Sequence, residues 1–500
     1  MYATNITAFK SWATALVQAL EFSSLFASPP ADRPSDLTMR LQHLLLSGLP
    51  LASAAPAAVD AAPPSALCDA KCMEEFQSAL ASERAGWVTA EFSDDPFYKT
   101  PANASGAKPG DVLSWQDISS EMMDTNFTGV PEGMSVSRFL YMSEDIDRKP
   151  VPASAFVLLP YGMKTFADPD ATTFKTVAWA HGTAGHARQC APSNSQKLYY
   201  EWEAPFYYAS HGYAVVAADY AGLGTDIPGG FQYEAGFLHA ADVAYSMVAA
   251  RKVIGHLLSE EWAVLGHSEG GMTAWRVNER LAMPGQEELL KAGKFLGAVA
   301  AAPALRPADL IPKSIELAGE GPLGDVVSVY VLQSVSQLYP GKIVIDDILT
   351  DEAKKLLPLI DQACLTTGEV VFQNLTTKQI YKSTAWLTGP EFKEWQVKYN
   401  GAGPHALAAP MLVVQGKGDT LTYAENCEWD FDQTCSAFPQ SSAELFFVPA
   451  LGHDPAFRAA TSYYWPWVER LFHGAAPAAA GCKKTEVKPV NDRFKKGTAG

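Results

Sequence analysis

The sequence predicts an α/β fold in which a mostly parallel sheet carries helices on both faces and an inserted helical cap. Several nearly continuous apolar runs occupy the middle of the chain, and such runs are typical of strands buried on both faces of a parallel sheet. Between two of these runs, His239 to Leu258 has apolar residues at helical spacing, as in a βαβ unit. A Gly-x-Ser-x-Gly pentapeptide lies between the apolar run that follows this helical segment and a second helical pattern.

The apolar runs and the spacing between them predict where the domains begin and end. Predicted strands span residues 155–159, 176–180, 213–218, 262–265, 295–300, 410–416 and 443–448. Helical patterns crowd the interval between the predicted strands 295–300 and 410–416, at residues 326–338, 351–364, 377–386 and 391–399. We therefore expect one catalytic domain formed by residues 85–312 and 405–473, interrupted by a helical cap at 313–404. A C-terminal helix is predicted over residues 455–472, followed by a disordered basic tail at 474–500.

The composition excludes several classes of protein. The 500 residues include 48% hydrophobic and 19% charged side chains, which is enough apolar material for a large core and too little charge for a disordered chain. The formal net charge of −17 argues against nucleic acid or an anionic membrane surface as the main partner. Seven cysteines cannot all pair with one another, and no Cys-x-x-Cys or His/Cys cluster indicates a metal site.

The N-terminal region resembles a secretory leader that begins at an internal methionine. Met39 and Arg40 precede a short Leu-rich stretch and a small-x-small triplet that ends at Ala54. We interpret residues 39–54 as a signal peptide, residues 1–38 as an over-extended gene start and residues 55–84 as a lead-in. The alternative is a genuine N-terminal extension whose Leu-rich stretch is a surface helix. The stretch is too short to span a bilayer, and no later segment reaches the ~20 apolar residues that a membrane helix needs.

Glycosylation sequons and cysteines are consistent with export. Acceptor triplets begin at Asn103, Asn126 and Asn374. In an oxidising compartment the cysteines would tend to pair. Cys427 and Cys435 could close a small loop, and Cys190 and Cys364 are candidates for a long-range bridge, which leaves an odd set of Cys68, Cys72 and Cys482.

The pentapeptide Gly266 to Gly270 predicts a nucleophilic serine. A serine that must project above a sheet occupies a sharp, strained turn between a strand and a helix, and side chains on its neighbours would clash there. Gly266 and Gly270 supply the necessary space, and Gly271 allows the next helix to pack closely. The start of that helix also favours negative charge developing beside Ser268.

An acid and a base follow downstream, in the order that such a site requires. Asp419 lies just beyond the predicted strand 410–416, and His453 lies in the loop after the strand 443–448. We expect Ser268 to act as nucleophile, His453 as general base and then acid, and Asp419 to orient the imidazole. Two carboxylates compete with Asp419. Asp454 adjoins the histidine and is better explained as a helix-start residue, and Asp219 ends an earlier strand and is better explained as structural.

The oxyanion hole is predicted after the strand that ends at Ala180, in the His-Gly turn that follows it. We expect the backbone N–H of Thr183 to be one donor, with Ala184 or Gly182 as alternatives. The second donor is the backbone N–H of Glu269, the residue after the nucleophile. His181 is expected to brace the loop.

This ordered set of motifs resembles the α/β-hydrolase superfamily, and within it the fungal secretory lipases of the lipase A type. The likeness covers residues 85 to 473 and includes the His181-Gly182-Thr183 turn, the Cys190-Ala191-Pro192-Ser193 stretch and the long insertion. By this resemblance, Ser268, Asp419 and His453 match the family's catalytic triad. The same motifs also resemble those of esterases and serine peptidases in the superfamily.

Together these features predict a secreted serine hydrolase that cleaves carboxylic esters through an acyl-enzyme, without a metal or cofactor. Its expected partner is a small-molecule or lipid ester, with no nucleic acid and no transmembrane anchor. A serine peptidase, an acyltransferase and a non-catalytic binding protein on the same fold are the alternatives. A peptidase would need an anchor for a peptide amine, and a binding protein would carry a broken triad.

Overall fold

The structure is a computed structural model that describes residues 65–165, 168–200, 204–475 and 481–497. The predicted gene start and signal peptide lie outside these residues. Within the described residues, ten strands form one sheet in the order β1-β2-β3-β5-β4-β6-β7-β8-β9-β10. In chain order the strands are Val112–Asp117, Met134–Glu144, Pro150–Pro160, Phe174–Ala180, Ala214–Ala218, Leu258–His267, Lys294–Ala301, Met411–Gly416, Ser442–Val448 and Gly481–Glu486.

The sheet is mostly parallel, which confirms the predicted fold class. Strands β1, β2, β3 and β5 pair antiparallel, and all pairs from β5 through β4 to β10 are parallel. The parallel strands from β5 to β9 are largely buried on both faces, with Ala214–Ala218 and Met411–Gly416 buried at every position. This double burial explains why their sequences are continuous apolar runs.

Helices cover both faces of the sheet. In chain order, α1 to α16 are Ala70–Ala85, Ser120–Thr125, Ala204–Ser210, Gly236–Ile254, Glu269–Arg280, Pro307–Ala318, Val327–Leu338, Ile345–Ile348, Asp351–Lys354, Leu357–Ile360, Leu365–Glu369, Thr377–Ile380, Pro390–Trp395, Ala424–Ala437, His453–Ala459 and Thr461–Phe472. One core contains the buried face of α4 together with α5 and α7, and a second core contains α3, α15 and α16. Helices α6 to α13 lie between β7 and β8, where the sequence predicts the cap.

Some predicted helices are broken in the structure. The pattern over residues 351–364 forms two short helices, α9 and α10, because Pro358 lacks the N–H that would continue a helical hydrogen-bond series. The predicted C-terminal helix is also divided, into α15 and α16.

Strands β1, β2 and β10 were not predicted, because polar residues interrupt their apolar pattern. In β2, Arg138 is only 1% exposed and forms a 2.8 Å ion pair with the carboxylate of Asp95. The prediction of a disordered tail over 474–500 is wrong for residues 481–486, which form β10 parallel to β9. Lys484 of this strand pairs with Glu428 and Asp432 of α14, so the basic tail binds the acidic body of the protein.

The disulfides confirm one predicted pair and correct the other. Cys190 is bonded to Cys364, as expected. Cys427 and Cys435 do not pair, because both lie on α14 and their eight-residue separation spans ~12 Å of helix axis, beyond the reach of a disulfide. Instead Cys435 is bonded to Cys482 of β10, and Cys427 is free and buried. A third disulfide joins Cys68 to Cys72.

The sequons differ in exposure. Asn103 and Asn374 are exposed, whereas Asn126 is partly buried and its amide donates to the carbonyl oxygen of Val88 at 2.8 Å. Among the described residues, no helix combines the length and apolarity needed to span a membrane.

Candidate active site

Ser268 occupies a strained turn between β6 and α5. Its backbone has φ 61° and ψ −124°, a region that non-glycine residues rarely adopt. Neighbouring backbone holds it there, because the N–H of Ser268 donates to Ala301 at 2.9 Å and its carbonyl accepts from Ala304 at 3.2 Å. All residues from Trp262 to Leu281 are buried except Ser268, which is partly exposed. The turn therefore presents this one side chain at the carboxyl end of the sheet.

The glycines beside Ser268 permit close backbone contacts. A Cβ on Gly266 would lie 2.0 Å from the carbonyl oxygen of Gly270, and one on Gly270 would lie 2.0 Å from that of Ala180. A Cβ on Gly271 would lie 2.2 Å from the carbonyl oxygen of Ala301. Any side chain at these positions would force backbone apart, as the pentapeptide predicts.

Asp419 and His453 form a hydrogen-bonded pair. The Nδ1 atom of His453 lies 2.8 Å from Oδ2 of Asp419, and both residues are buried. The same carboxylate accepts from the backbone N–H groups of Leu421 and Thr422, each at 2.9 Å, and from the Thr422 hydroxyl at 2.7 Å. Burial alone would raise the pKa of Asp419, but His453 and the Thr422 donors together hold it well below its usual value. Asp419 is thus a fixed anion facing the imidazole.

Close packing of two loops brings this pair together. The loop after β9 reaches His453, the first residue of α15, and passes over the end of β8. A Cβ on Gly416 would lie 2.5 Å from the carbonyl oxygen of Leu451, so only glycine allows this approach. The N–H of Gly418 donates to Leu451 at 2.9 Å, which ties the acid loop to the base loop.

His453 lies beside the turn that carries Ser268. The ring centroids of His453 and His267, the residue before Ser268, are 4.6 Å apart. Nε2 of His267 lies 3.3 Å from the carbonyl oxygen of His453, and its Nδ1 lies 2.5 Å from the Tyr200 hydroxyl. The His453–Asp419 pair therefore lies next to the turn that carries Ser268.

The two competing carboxylates have other surroundings. Asp454 Oδ1 lies 3.8 Å from His267 Nε2, whereas the 2.8 Å contact with His453 Nδ1 belongs to Asp419. Asp219 is fully buried and accepts hydrogen bonds from Ser154 at 2.6 Å and from the Ser193 N–H at 2.8 Å. It braces β3 and the segment around Ser193.

The predicted oxyanion loop is held by aromatic side chains that the sequence did not reveal. The Thr183 hydroxyl is 2.7 Å from the Tyr233 hydroxyl, and the Thr183 carbonyl accepts from Tyr199 at 2.9 Å. His181 is buried, stacks on Tyr220 at 4.2 Å, and has its pKa lowered by burial to about 4. It is therefore a neutral brace for the loop. No fixed spacing links these tyrosines to the motif, so a single sequence carries no signal for them.

The cap is attached to this loop. The N–H of Leu365 in α11 donates to the carbonyl oxygen of Ala184 at 2.9 Å. Next to it, the Cys190–Cys364 disulfide joins the two segments covalently, and a Cβ on Gly185 would lie 2.8 Å from the Cys190 sulfur. The position of the cap is therefore linked to the position of the predicted oxyanion loop.

The side chain of Glu269, which the sequence could not place, is completely buried. Its Oε1 accepts from the Glu234 N–H at 3.1 Å and lies 3.6 Å from His239 Nδ1. Burial raises the pKa of Glu269 well above its usual value and raises that of Glu234 to about 8, with a further contribution from Asp325. Burial therefore favours the protonated form of both glutamates.

The raised pKa of Glu234 predicts a loss of stability as pH rises towards 8. An unfolded glutamate ionises near pH 4.5, whereas folded Glu234 keeps its proton until about pH 8, so the folded state binds more protons and its stability falls as pH rises. Above pH 6.5 the buried histidines oppose this trend less and less, since unfolded histidine loses most of its protons there. We expect the free energy of unfolding to fall between pH 6.5 and 8 by ~2 kcal/mol through Glu234, at ~1.4 kcal/mol per pH unit.

Urea unfolding at both pH values would measure this fall. Glu234→Gln is expected to flatten the pH dependence, while Glu132→Gln at an exposed position should leave it unchanged. An unaltered slope in Glu234→Gln would contradict the assignment.

Together, the sheet order, the strained serine turn between β6 and α5, and the loops after β8 and β9 define the α/β-hydrolase fold. The chain therefore has this fold, and the resemblance to lipases of the lipase A type is confirmed at that level. No protein-family model matches the chain, and no curated protein matches it in sequence.

Solved structures with the same fold include lipases and esterases. Candida antarctica lipase A in its closed state superposes with a TM-score of 0.61 at 16% identity, covering 79% of this chain and 89% of that one. The rice cell wall degrading esterase LipA from Xanthomonas oryzae gives 0.54 at 17% identity, covering 75% and 97%. A putative hydrolase from Legionella pneumophila gives 0.57 at 17% identity, covering 72% and 98%. At these identities the likeness establishes the fold alone.

Proposed function

We propose that this protein is a serine hydrolase of carboxylic esters, of the lipase or esterase type. The observation that carries the proposal is the 2.8 Å hydrogen bond between buried His453 and Asp419 beside the strained, partly exposed Ser268. The lipase and esterase activities named for the similar structures agree with this reading.

In the proposed reaction, His453 Nε2 removes the hydroxyl proton of Ser268 as the serine oxygen attacks the ester carbonyl. The Nδ1–H of His453 points at Asp419, so the anion selects the tautomer with its lone pair on Nε2 and stabilises the imidazolium that forms. His453 then gives the proton to the leaving alcohol, which leaves an acyl-enzyme. A water molecule activated by the same histidine releases the acid.

Backbone donors would stabilise the tetrahedral oxyanion. Glu269 is the first residue of α5, so its N–H is at a helix start and the partial positive charge there favours the oxyanion. Thr183 is the proposed second donor, because Tyr199 and Tyr233 hold it and leave its loop little freedom. Removing one such donor typically lowers kcat by 10²–10³-fold in related sites.

Secretion is also part of the proposal. Disulfides persist in oxidising compartments and are rare in the cytosol, and this chain has three among its described residues. Two of the sequons, at Asn103 and Asn374, are exposed and could carry glycans.

A peptidase is the second candidate, and one observation favours it. Glu234, Glu269 and Asp325 lie close enough to influence one another, and among the described residues none of them pairs with Lys or Arg, so they could receive a substrate ammonium group. Against this, burial raises the pKa of both glutamates and favours their neutral form, which tolerates burial without a cation. We prefer the ester hydrolase.

Labelling with a fluorophosphonate, followed by a panel of substrates, tests the proposal. We expect the wild-type protein to be labelled at Ser268 and to hydrolyse p-nitrophenyl esters. Hydrolysis of aminoacyl amides but not of esters would identify the protein as a peptidase. Absence of both labelling and turnover in folded protein would contradict a hydrolase of any kind. Preference for long emulsified acyl chains over short soluble ones would identify a lipase.

A further inference from the structure

Two histidines and one carboxylate converge beside the proposed nucleophile. His267 ends β6, and His453 and Asp454 begin α15. One ligand atom from each of the three residues lies within 4.8 Å of the others. The sequence provides no sign of this group, because more than one hundred residues separate its first member from the other two.

This combination of donors suits a zinc-class metal ion. Zn²⁺ binds imidazole nitrogen at ~2.0 Å and carboxylate oxygen at ~2.0–2.2 Å, and many of its sites use three protein ligands with one open position. Two imidazoles and one carboxylate are such a set. Mg²⁺ and Ca²⁺ prefer all-oxygen ligands and fit it poorly.

The outer contact of His453 matches that of a metal ligand, and the outer contact of His267 fixes its ring as well. Metal-bound histidine usually has its other ring nitrogen fixed by a carboxylate, carbonyl or water. Here Nδ1 of His453 is bonded to Asp419 at 2.8 Å, and Nδ1 of His267 is bonded to the Tyr200 hydroxyl at 2.5 Å. Both rings are thereby oriented, and their Nε2 atoms are the ones that a metal would take.

Binding requires the three ligand atoms, which lie within 4.8 Å of one another, to move closer together, and Asp454 can supply part of that movement. Neighbouring ligands around a tetrahedral ion with ~2.0 Å bonds lie ~3.3 Å apart, whereas His267 Nε2 and Asp454 Oδ1 are 3.8 Å apart. The two histidines are buried, but the Asp454 side chain is 38% exposed, so it can rotate and offers a route from solvent. The 3.3 Å contact of His267 Nε2 with the His453 carbonyl is long for a hydrogen bond and would be given up.

We propose that a zinc-class divalent ion binds His267, His453 and Asp454 and reversibly inhibits the enzyme. The inhibition follows from the proposed function, because a metal on His453 Nε2 takes the lone pair that must accept the Ser268 proton. Binding itself is independent of that function. The site is therefore an inhibitory site built around the catalytic base.

Direct binding tests the site without using activity. Isothermal titration calorimetry of the full chain without a histidine tag should detect one equivalent of Zn²⁺ bound by wild type. Asp454→Asn should weaken this affinity at least tenfold, while Ser268→Ala should retain it. The chain has 10 histidines, so Zn²⁺ could also bind surface histidines elsewhere. In that case Asp454→Asn would bind Zn²⁺ as tightly as wild type, and this result would overturn the proposal.

Inhibition supplies the second readout. Zn²⁺ should abolish ester hydrolysis by wild type, and EDTA should restore it. Mg²⁺ at the same concentration should have no effect. Asp454→Asn should keep the wild-type kcat/KM without metal and raise the inhibitory Zn²⁺ concentration at least tenfold. Equal sensitivity of the two proteins would refute the site. A protein that binds Zn²⁺ through Asp454 but hydrolyses no ester would refute the proposed function alone.

Discussion

Ser268→Ala is expected to lower kcat/KM for a p-nitrophenyl ester by about 10⁵-fold, the largest effect of any single substitution in this chain. Alanine removes the oxygen that attacks the carbonyl and leaves the Asp419–His453 pair and the proposed oxyanion donors in place. The remaining rate would come from those donors acting on water. Steady-state kinetics with active-site titration by a fluorophosphonate measures the loss.

The fold should survive this substitution, because alanine is smaller than serine and the backbone hydrogen bonds of residue 268 do not involve its side chain. Ser210→Ala, at an exposed position at the end of α3, is a matched control and should retain full activity. A thermal unfolding curve would exclude misfolding as the cause of a loss. Activity within tenfold of wild type in folded Ser268→Ala would remove Ser268 from the mechanism.

Asp419→Asn is expected to lower kcat by about 10⁴-fold with a much smaller change in KM. An asparagine amide can donate to His453 Nδ1, which favours the tautomer with the proton on Nε2, where it cannot accept from Ser268. The neutral amide also fails to stabilise the imidazolium. Because Asp419 accepts from Leu421 and Thr422 as well, the loop should keep its shape in the isosteric variant.

Asp454→Asn is the matched control for Asp419→Asn, since Asp454 follows His453 directly in the chain and its carboxylate lies near His267. Only Asp419 makes the 2.8 Å contact with His453 Nδ1, so Asp454→Asn should stay close to wild-type kcat. Separate kcat and KM values for both variants decide the assignment. A larger loss in Asp454→Asn than in Asp419→Asn would reverse the roles of the two residues.

Much of the fold could be predicted because the parallel strands are buried on both faces. Strands β5 and β8 contain almost nothing but apolar residues, and that composition reports burial directly. Strand β2 escaped prediction because its buried Arg138 is neutralised by Asp95, a partner far away in the sequence. Strand β10 was not predicted because its lysines form ion pairs with acidic residues of α14 and β9, which are distant in the sequence.

Part of the candidate site could also be predicted, because its signal is local in the sequence. The Ser268 turn is specified by residues within one strand, one turn and one helix, so its glycines can be recognised locally. The side chain of Glu269 and the tyrosines that hold Thr183 depend on how α5, the segment before α4 and the oxyanion loop pack together. No local pattern contains that information.

The amino-acid sequence by itself determined the α/β class, the strained serine turn and the choice of Ser268, Asp419 and His453 as candidate residues, because each is encoded in short-range apolar runs and glycine spacing. The tertiary structure agrees with the predicted bond between Asp419 and His453, and it alone decided that Cys435 pairs with Cys482. The tertiary structure alone showed that His267 lies beside His453 and that β10 pairs with β9 at the edge of the sheet. The physical reason is that these contacts join segments distant in the chain, and the sheet register, not the local sequence, sets the distances between them.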